Sequence, residues 1–245
     1  MLDQSLIAHI SDLKNRCDTR NIMTRSEFLT PSEAAQIKQE FHNDASMFFF
    51  GGYNGAERVM LFFLPEYLTS ETVHEYITPV RCVAPFSSLT HRDYLGSILS
   101  LGIKRSCIGD ILVSDEEATI LLDSKIAEYV TENLTRIGRG GVSCKMIELS
   151  EVIPPIQKYR EITATVASLR ADAVFAAAFG VSREKTAALI KEESCTVNWL
   201  AFNSPSAQIS EGDILSARGL GRAKLFSVGG NSKKNRTFIT IHQYE

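Results

Sequence analysis

Lysines and arginines gather in three short clusters near the end of the chain, and each cluster could bind phosphate groups. The first lies at the predicted start of a helix, where Ser182 would cap the helix and free backbone N–H groups also attract anions. Arg170 and Lys191 would border it. The second lies in a predicted loop with two glycines, which let the backbone approach a phosphate that arginine can hold with two hydrogen bonds. The third falls in a predicted hairpin turn. The cations of the three clusters are Arg183 and Lys185, then Arg218, Arg222 and Lys224, and finally Lys233, Lys234 and Arg236.

The distribution of charge supports a polyanionic partner for this part of the chain. Residues 156–245 hold twelve lysines and arginines against eight acidic residues, whereas residues 1–155 hold fourteen against twenty-one. Cations in the first turn of a helix are opposed by the helix dipole, so a partner outside the helix would explain Arg183 and Lys185. A single cluster of this kind is favoured to be a solvated loop, but three in one small domain favour phosphate binding.

The elements predicted to carry these cations are two short helices followed by strands. One helix runs through ADAVFAAAF and ends at Gly180, and a second begins at Ser182 with the sequence SREKTAALIKEE. Short strands are predicted in CTVNW, GDILSARG, KLFSVGG and RTFITIHQY. Residues 168–245 would therefore form a small α/β domain at the C-terminus that carries the three cation clusters.

The preceding residues are predicted to form two further regions and a linker, which makes the chain an α+β protein. Residues 1–44 are predicted to form N-terminal helices, and the second of these has a capping-box start at Thr30. Residues 45–152 are predicted to begin with a hairpin around a glycine-rich loop and to continue as a ferredoxin-like middle domain. A diproline favours extended chain, so residues 153–167 would be a linker and an extended lead-in.

The ferredoxin-like prediction depends on the order of elements in the middle domain. This order is β-α-β-β-α-β, which would place two helices on one face of a sheet. The predicted strands are 80–86, 109–113, 118–123 and 142–149, and the predicted helices are 91–102 and 124–138.

Composition excludes several other classes of protein. With 245 residues and 44% hydrophobic content the chain can bury a core, yet no window resembles a membrane span or a signal peptide. The five cysteines are scattered and odd in number, which argues against a disulfide framework, and no Cys/His cluster suggests a zinc site. We therefore expect a cytoplasmic, monomeric protein that uses no metal or cofactor and does not bind a membrane.

The segment from Leu169 to Ile214 resembles the small RNA-binding domain first defined in ribosomal protein S-four. That domain combines a helix start containing arginine and aspartate, a helix beginning Ser-Arg and ending Leu-Ile, a strand ending Val-Asn and a Gly-Asp turn. The sequence departs from the family at Glu192 and Glu193, where a lysine-glycine turn is common, and these negative charges would weaken or shape RNA contact. The matching residues are Leu169, Arg170, Asp172, Ser182, Arg183, Ala187, Leu189, Ile190, Val197, Asn198, Gly212, Asp213 and Ile214.

Nearly the whole chain resembles the bacterial YlmH-type proteins. The segments that carry this resemblance are FLTPSE, GGYNGAER, FLPE, HRDYLGSILSLGIKR and IGDILV. The resemblance implies a ferredoxin-like middle domain joined to the RNA-binding domain. It also implies ribosome or tRNA binding in the rescue of stalled large subunits, and genes that neighbour cell-division genes.

One motif admits an enzymatic interpretation. His91-Arg92-Asp93 matches the start of a kinase catalytic loop, but Ile98 replaces the asparagine that should follow and the other kinase motifs are absent. Asp93 beside Arg92 also resembles the catalytic aspartate of pseudouridine synthases. Those enzymes carry the RNA-binding domain at their N-terminus, and their other catalytic motifs are missing here. The favoured interpretation is a helix start that Asp93 stabilises, with Arg92 facing a partner or solvent.

The segment GGYNGAER could cradle a phosphate, but no Gly-Lys-Ser/Thr follows it and a hairpin turn explains its glycines. Tyr53 and Arg58 at the tip of such a turn could contact a base or a phosphate. The central strands of the predicted middle sheet are aliphatic, so that sheet is expected to pack rather than to stack on bases.

We therefore predict a non-enzymatic RNA-binding protein that docks on structured ribosomal RNA or tRNA, with the large ribosomal subunit as the expected partner. An RNA-modifying enzyme that uses Asp93 and an interaction factor in cell division are the alternatives. The residues expected to contact RNA are Arg170, Ser182, Arg183, Lys185, Lys191, Asn198, Arg218, Arg222 and Lys224. Weaker candidates are Tyr53, Arg58, His91, Arg92, Lys233, Lys234 and Arg236.

Overall fold

Helices and antiparallel strands occur together along the chain, and the computed structural model confirms the α+β class. Contacts divide the chain into two units, residues 1–155 (unit 1) and residues 156–245 (unit 2). None of the described helices has the length and apolar composition needed to cross a membrane. The structure describes residues 3–42, 44, 46–84, 89–114, 116–154, 157–232 and 235–244.

Two helices and a three-stranded sheet open unit 1. The elements are α1 Gln4–Arg20, β1 Thr24–Leu29, α2 Pro31–Glu40, β2 Met47–Phe50 and β3 Val59–Phe63. The predicted capping box is present, because Thr30 accepts a hydrogen bond from the N–H of Glu33 and the Glu33 carboxylate accepts one from the N–H of Thr30. The predicted hairpin is the pair β2–β3, and β1 completes an antiparallel sheet in the order β1-β3-β2.

Strand β1 lies in residues 1–44, where the sequence predicts only helices. Its buried positions include two polar side chains, which hide the hydrophobic alternation that would predict a strand. The hydroxyl of Thr24 donates to the carbonyl of Leu13, and the hydroxyl of Ser26 accepts from the N–H of Leu61. These hydrogen bonds offset the cost of burying both hydroxyls. Because β1 pairs with β3, the strand between the two N-terminal helices belongs to the same sheet as the hairpin.

A four-stranded antiparallel sheet and two helices form most of the rest of unit 1. The elements are β4 Ile77–Val83, α3 His91–Ser100, β5 Ile108–Val113, β6 Glu117–Asp123, α4 Ser124–Asn133, β7 Arg136–Ile137, β8 Gly140–Gly141 and β9 Ser143–Met146, with short 3₁₀ turns at Ser70–Tyr76, Arg105–Cys107 and Leu149–Glu151. The sheet order is β5-β6-β4-β9. Each helix therefore connects two strands that are not neighbours in the sheet, as in the predicted β-α-β-β-α-β arrangement. The ferredoxin-like assignment itself stays a prediction.

Helix α4 is shorter than the predicted helix 124–138. It ends at Asn133, and the following residues form the two-stranded ribbon β7–β8 with Gly138 at its turn (φ 58°). Leu134 and Ile137 are buried at 2% and 1% exposure. Their spacing of three residues imitates one more turn of an amphipathic helix, which is why the sequence pattern extends the helix too far.

Some predicted features fall on residues outside the described part of the chain. The predicted strand 80–86 overlaps β4, which begins three residues earlier, but its last residues, Pro85 and Phe86, are among those not described. The same holds for Pro155 of the diproline and for Lys233 and Lys234.

Two cysteines that are distant in sequence meet in the four-stranded sheet. Cys82 on β4 stands opposite Cys144 on β9, with their Cα atoms 4.1 Å apart, and the two form a disulfide. The sequence argues only against a disulfide framework, and this single pair arises because the strand pairing brings together residues separated by 62 positions. Cys17, Cys107 and Cys195 are free thiols.

Unit 2 packs two helices against one face of a six-stranded antiparallel sheet. The elements are β10 Tyr159–Val166, α5 Ala171–Phe179, α6 Arg183–Lys191, β11 Cys195–Val197, β12 Leu200–Ala201, β13 Ile214–Ala217, β14 Gly221–Asn231 and β15 Thr237–Tyr244. The sheet order is β10-β15-β14-β13-β11-β12, so the predicted extended lead-in forms an edge strand. Val174 and Phe175 of α5 pack with Leu215 and Ile241 of the sheet in the core, each at 1% exposure or less.

A buried ion pair joins the two sheets of unit 1. Arg25 on β1 donates hydrogen bonds of 2.8 and 3.0 Å to the carboxylate of Asp123 at the end of β6. The two side chains are only 13% and 8% exposed. Asp123 also accepts a hydrogen bond from the N–H of Lys125 and so caps α4. The carboxylate can be buried here because Arg25 compensates its charge.

We expect Arg25→Ala to lower the free energy of unfolding by about 3 to 5 kcal/mol, because it leaves the Asp123 carboxylate buried without its cation. The matched control is Asp18→Ala, which removes the exposed partner of Lys14 on α1 and should cost at most about 0.5 kcal/mol. Urea denaturation of the full chain, followed by circular dichroism, measures both. Similar small losses in the two variants would contradict a stabilising role for the buried pair.

Candidate nucleic-acid interface

The connection between α5 and α6 presents the first predicted cation cluster. Helix α5 ends at Gly180, which adopts the left-handed conformation (φ 64°) that the sequence predicts for a helix end. Ser182 then caps α6, and its hydroxyl accepts a hydrogen bond of 3.2 Å from the N–H of Lys185. Both helix boundaries therefore agree with the sequence prediction.

A buried carboxylate organises the arginines around this connection. Asp172 in the first turn of α5 accepts a hydrogen bond from Nε of Arg170 (3.2 Å) and one from Nη2 of Arg183 (2.7 Å). Burial alone would raise the pKa of Asp172, but the hydrogen bonds from Arg170 and Arg183 outweigh it and hold the pKa below its ordinary value. The three residues, called the Asp172 cluster below, therefore stay charged at neutral pH.

The two arginines of the Asp172 cluster remain accessible to a partner. The side chains of Arg170 and Arg183 are 40% and 56% exposed, whereas that of Asp172 is 10% exposed. A guanidinium group has five N–H donors, and each arginine uses only one or two of them on Asp172. The cluster has a net charge of +1 and holds two guanidinium groups in fixed positions. This arrangement suits the binding of a phosphate group.

Ser182 and Lys185 lie beside the Asp172 cluster rather than within it. Lys185 is exposed, but residues two apart along a helix do not face each other, so it lies on a different side of α6 from Arg183. The hydroxyl of Ser182 is used in the helix cap. Both residues stay phosphate candidates, because the N-terminus of α6 carries the positive end of the helix dipole.

Lys191 lies at the opposite end of α6 from this cluster, so its predicted place at the border of the phosphate site stays a prediction. Lys191 occupies the last turn of α6, about 12 Å along the helix axis from Arg183. The helix dipole favours a cation at that end, which gives Lys191 a local reason to be there. Arg218 lies near the same end of α6, because its N–H donates to the carbonyl of Ser194 (2.9 Å), just beyond the helix. Its side chain is exposed.

The second cluster is not a cationic loop. Arg218 lies in the turn between β13 and β14, but Arg222 and Lys224 lie on strand β14 itself. There Arg222 stands opposite Ser216, and Lys224 stands opposite Ile214. Residues two apart on a strand share a face, so the two cations project from the same side of the sheet. The sequence prediction placed them in a loop because the two glycines suggested an irregular segment.

Asn198 serves the fold of a hairpin. Asn198 and Trp199 both have positive φ (50° and 64°) and form the two-residue turn between β11 and β12. The Asn198 side chain donates to the carboxylate of Asp213 (2.8 Å) and accepts from the N–H of Ile214 (2.9 Å). These bonds account for Asn198 without an RNA partner, so its role in RNA contact stays a prediction.

The third cluster is only partly described. Arg236 is exposed, and its guanidinium donates to the hydroxyl (3.2 Å) and the carbonyl of Thr165. These bonds tie the segment before β15 to the end of β10. Lys233 and Lys234 are outside the described residues, so a phosphate site there stays a prediction.

The fold of unit 1 already uses Tyr53 and Arg58. Tyr53 donates to the carboxylate of Asp110 (2.8 Å), and burial together with this carboxylate raises the pKa of Tyr53. Arg58 donates to the carbonyls of Ile108 (2.9 Å) and Phe28 (3.1 Å), and its burial lowers its pKa. The glycine-rich loop is therefore fastened to β5 by the two side chains that were candidates for RNA contact.

His91, Arg92 and Asp93 form the first turn of α3, as the favoured interpretation predicts. The Asp93 carboxylate accepts hydrogen bonds from the hydroxyl (2.7 Å) and the N–H (2.8 Å) of Thr90, and these bonds lower its pKa. Partial burial and the charge of Arg105 lower the pKa of His91, so its ring is neutral at pH 7. Arg92 is exposed. In the described part of the chain, no group of three or more His, Cys, Asp or Glu residues could hold a metal ion.

Sequence reasoning missed a second glycine-rich cationic turn, in the ribbon β7–β8. Arg136 and Arg139 flank Gly138 and are exposed, and the guanidinium of Arg136 donates to the carbonyl of Arg139 (3.5 Å). These residues offer the same chemistry as the predicted phosphate sites. The signal is present in the letters RIGRGG, but it is visible only once α4 is known to end at Asn133.

Comparison with known proteins gives matches in both sequence and structure. A family model described as "Putative RNA-binding domain in YlmH" matches residues 73–151, which lie in unit 1 and not in the cation clusters of unit 2. "Ribosome-associated protein quality control protein P2" of Bacillus subtilis (strain 168) is 34% identical over 224 residues, which cover 90% of this chain and 87% of that protein.

A solved structure supports the fold. "Cell division protein ylmH from Streptococcus pneumoniae" matches with a TM-score of 0.54 and 22% identity, over 62% of this chain and 94% of that chain. At this identity the likeness concerns the fold alone. The relative from Bacillus subtilis, by contrast, is similar along nearly the full length of both proteins. Together with the family model, this similarity shows that the chain belongs to the YlmH family.

Proposed function

We propose that this protein is a non-enzymatic RNA-binding protein that docks on structured ribosomal RNA or tRNA and acts in the rescue of stalled ribosomes. The observation that carries the proposal is the Asp172 cluster, in which a buried carboxylate holds two exposed arginines near the start of α6. Contacts of this kind bind the phosphates of a folded RNA and fix the protein's position without reading the base sequence. Lys185 adds a further cation in the first turn of the same helix.

The relatives support an RNA partner. The protein from Bacillus subtilis is named for ribosome-associated protein quality control, and the matching family model is described as RNA-binding. We extend these properties to this chain, with the large ribosomal subunit as the expected particle and a monomer as the working form. A protein that acts on ribosomes in this way would work in the cytoplasm.

Unit 1 would contribute a second RNA contact. The family model covers residues 73–151, and that range contains the ribbon with Arg136 and Arg139. Residues 1–155 carry a net negative charge, so only local cationic patches such as this ribbon would attract RNA. We therefore assign the ribbon a supporting role in RNA binding, in addition to that of the Asp172 cluster.

The enzymatic alternative has less support, because the helix start already uses the aspartate on which it depends. Both hydrogen bonds from Thr90 stabilise the ionised carboxylate of Asp93 in the capping box of α3. We therefore expect deletion of the gene to leave the modifications of ribosomal RNA and tRNA unchanged. Mass-spectrometric mapping of both RNAs from the deletion and parent strains measures this. A modification that the wild-type gene restores but Asp93→Asn does not would favour the enzyme instead.

The phosphate contacts predict a change in salt dependence. We expect Arg183→Ala combined with Lys185→Ala to weaken binding to bulk tRNA and to flatten the plot of log affinity against log salt by about 2, one for each lost phosphate contact. Filter binding between about 50 and 200 mM salt gives this slope. Arg16→Ala combined with Arg20→Ala is the matched control, because it removes two exposed cations four residues apart on α1.

The single variant Lys185→Ala distinguishes a lost phosphate contact from a loss of folding, because Lys185 takes no part in the Asp172 cluster. It should flatten the slope by about 1 and leave the circular dichroism spectrum unchanged. An unchanged slope in both the single and the double variant would contradict phosphate binding at this end of α6, as would an equal change in the α1 control.

Association with a ribosomal particle is the direct consequence of the proposal. We expect the full chain to sediment with purified large subunits in a sucrose gradient and to move to the top of the gradient when Arg183 and Lys185 are replaced by alanine. The small subunit serves as the comparison particle. Absence of the wild-type protein from both particles would contradict the ribosomal part of the proposal.

A further inference from the structure

The face of the unit 2 sheet that points away from α5 and α6 carries exposed aromatic rings. On β15, Ile239 and Ile241 are buried in the core with the helices, so the alternating residues face the other way. Phe238 on this outer face is 44% exposed, and Tyr159 on β10 and Phe226 on β14 are each 49% exposed. Soluble proteins rarely leave several large aromatic side chains together on one surface without a partner.

Three of the rings on this outer face form a parallel stack. The ring of His242 lies 3.8 Å from that of Tyr159 at an interplanar angle of 10°, and 4.0 Å from that of Phe226 at 15°. His242 is in the middle and only 7% exposed, so Tyr159 and Phe226 form the two ends. The second carboxylate oxygen (Oε2) of Glu161 lies 3.5 Å from Nε2 of His242 and sits beside the middle ring.

A β-bulge helps to create this stack. Leu225 pairs with Ile241 and Ser227 pairs with Thr240, so Phe226 is an extra residue on β14. Bulges re-aim side chains next to binding sites, and this one directs a half-exposed phenylalanine towards His242.

Two cations accompany the rings on the same face. Lys224 stands opposite His242 in the pairing of β14 with β15, so their side chains are neighbours on one face. The guanidinium carbon of Arg222 lies 5.7 Å from the centre of the Tyr244 ring. Rings that can stack on bases therefore lie beside cations that can contact phosphates.

We propose that this outer face binds a single-stranded RNA segment, whose unpaired bases extend the aromatic stack at Tyr159 or Phe226 while Lys224 and Arg222 contact its phosphates. The inference rests on the proposed RNA-binding function and adds a second surface with a different ligand chemistry. Unpaired bases are the fitting ligand, because they can stack on aromatic side chains whereas the bases of a duplex are already stacked inside it. The positive charge of the two cations favours a nucleic acid strand over an apolar protein surface.

Two single-stranded probes of equal charge, one with bases and one without, distinguish base stacking from phosphate binding. The probes are an oligouridylate of about ten nucleotides and an abasic ribose-phosphate strand of the same length. We expect the wild-type full chain to bind the oligouridylate more tightly than the abasic strand. Phe226→Leu and Tyr159→Leu, which keep apolar bulk but remove a ring, should each weaken oligouridylate binding about tenfold and leave abasic binding unchanged.

Tyr67→Leu is the matched control, because Tyr67 is 62% exposed and lies in unit 1 outside the range of the family model. It should change neither affinity. Equal losses on both strands in the ring variants would overturn the inference, as would a wild-type protein that does not distinguish the two strands. Loss of oligouridylate binding only in the ring variants, with the tRNA salt slope intact, would support it.

The same measurements keep the two proposals apart. If the ring variants behave like wild type while the variants in α6 still flatten the salt slope, only the outer-face inference fails. If the protein distinguishes oligouridylate from the abasic strand but does not bind tRNA, the outer face stands and the docking on structured RNA fails.

Discussion

Asp172 is buried in the first turn of α5, and a buried carboxylate is tolerated only when charged or polar groups compensate it. Arg170 and Arg183 provide this compensation, and the second of them is the first residue of α6. The carboxylate therefore fixes the start of α6 relative to α5. The same bonds hold both guanidinium groups in place, so the entropic cost of ordering them is met by folding and not by RNA binding.

Several of the unit 2 residues that resemble the S-four RNA-binding domain bond to one another. Arg170, Asp172 and Arg183 form one set, and Asn198 and Asp213 form another, which holds the hairpin turn against the start of β13. This explains why the motif can be recognised from sequence, since each residue type is needed by its partner. It also means that the resemblance predicts geometry more directly than it predicts a ligand, which must be argued from the exposed side chains.

Local signals in the sequence predicted the helix boundaries best. The capping box at Thr30, the left-handed Gly180 and the cap at Ser182 each depend on residues within a few positions, and all are present. The prediction failed where distant residues decide the structure. Strand β1 depends on its pairing with β3, and the Cys82–Cys144 disulfide depends on the pairing of β4 with β9. Tyr53 and Arg58 were placed at a free loop tip because nothing in the sequence near them indicates Asp110 or the carbonyls that they contact.

The same limit applies to the outer face of the unit 2 sheet. Arg222 and Lys224 attract attention in the sequence as cations, but their aromatic neighbours come from β10 and β15, which are about 60 positions before and 20 positions after them. Once the sheet is formed, its two faces differ in chemistry: the helices with the Asp172 cluster lie on one face and the rings on the other. A folded RNA contains both paired and unpaired segments, and a small domain that contacts one of each binds more tightly than either surface alone, because the second contact forms at a high effective concentration. Such a pair of surfaces would favour RNA in which a helix and an unpaired segment lie close together, and this selects for structure without any reading of base identity.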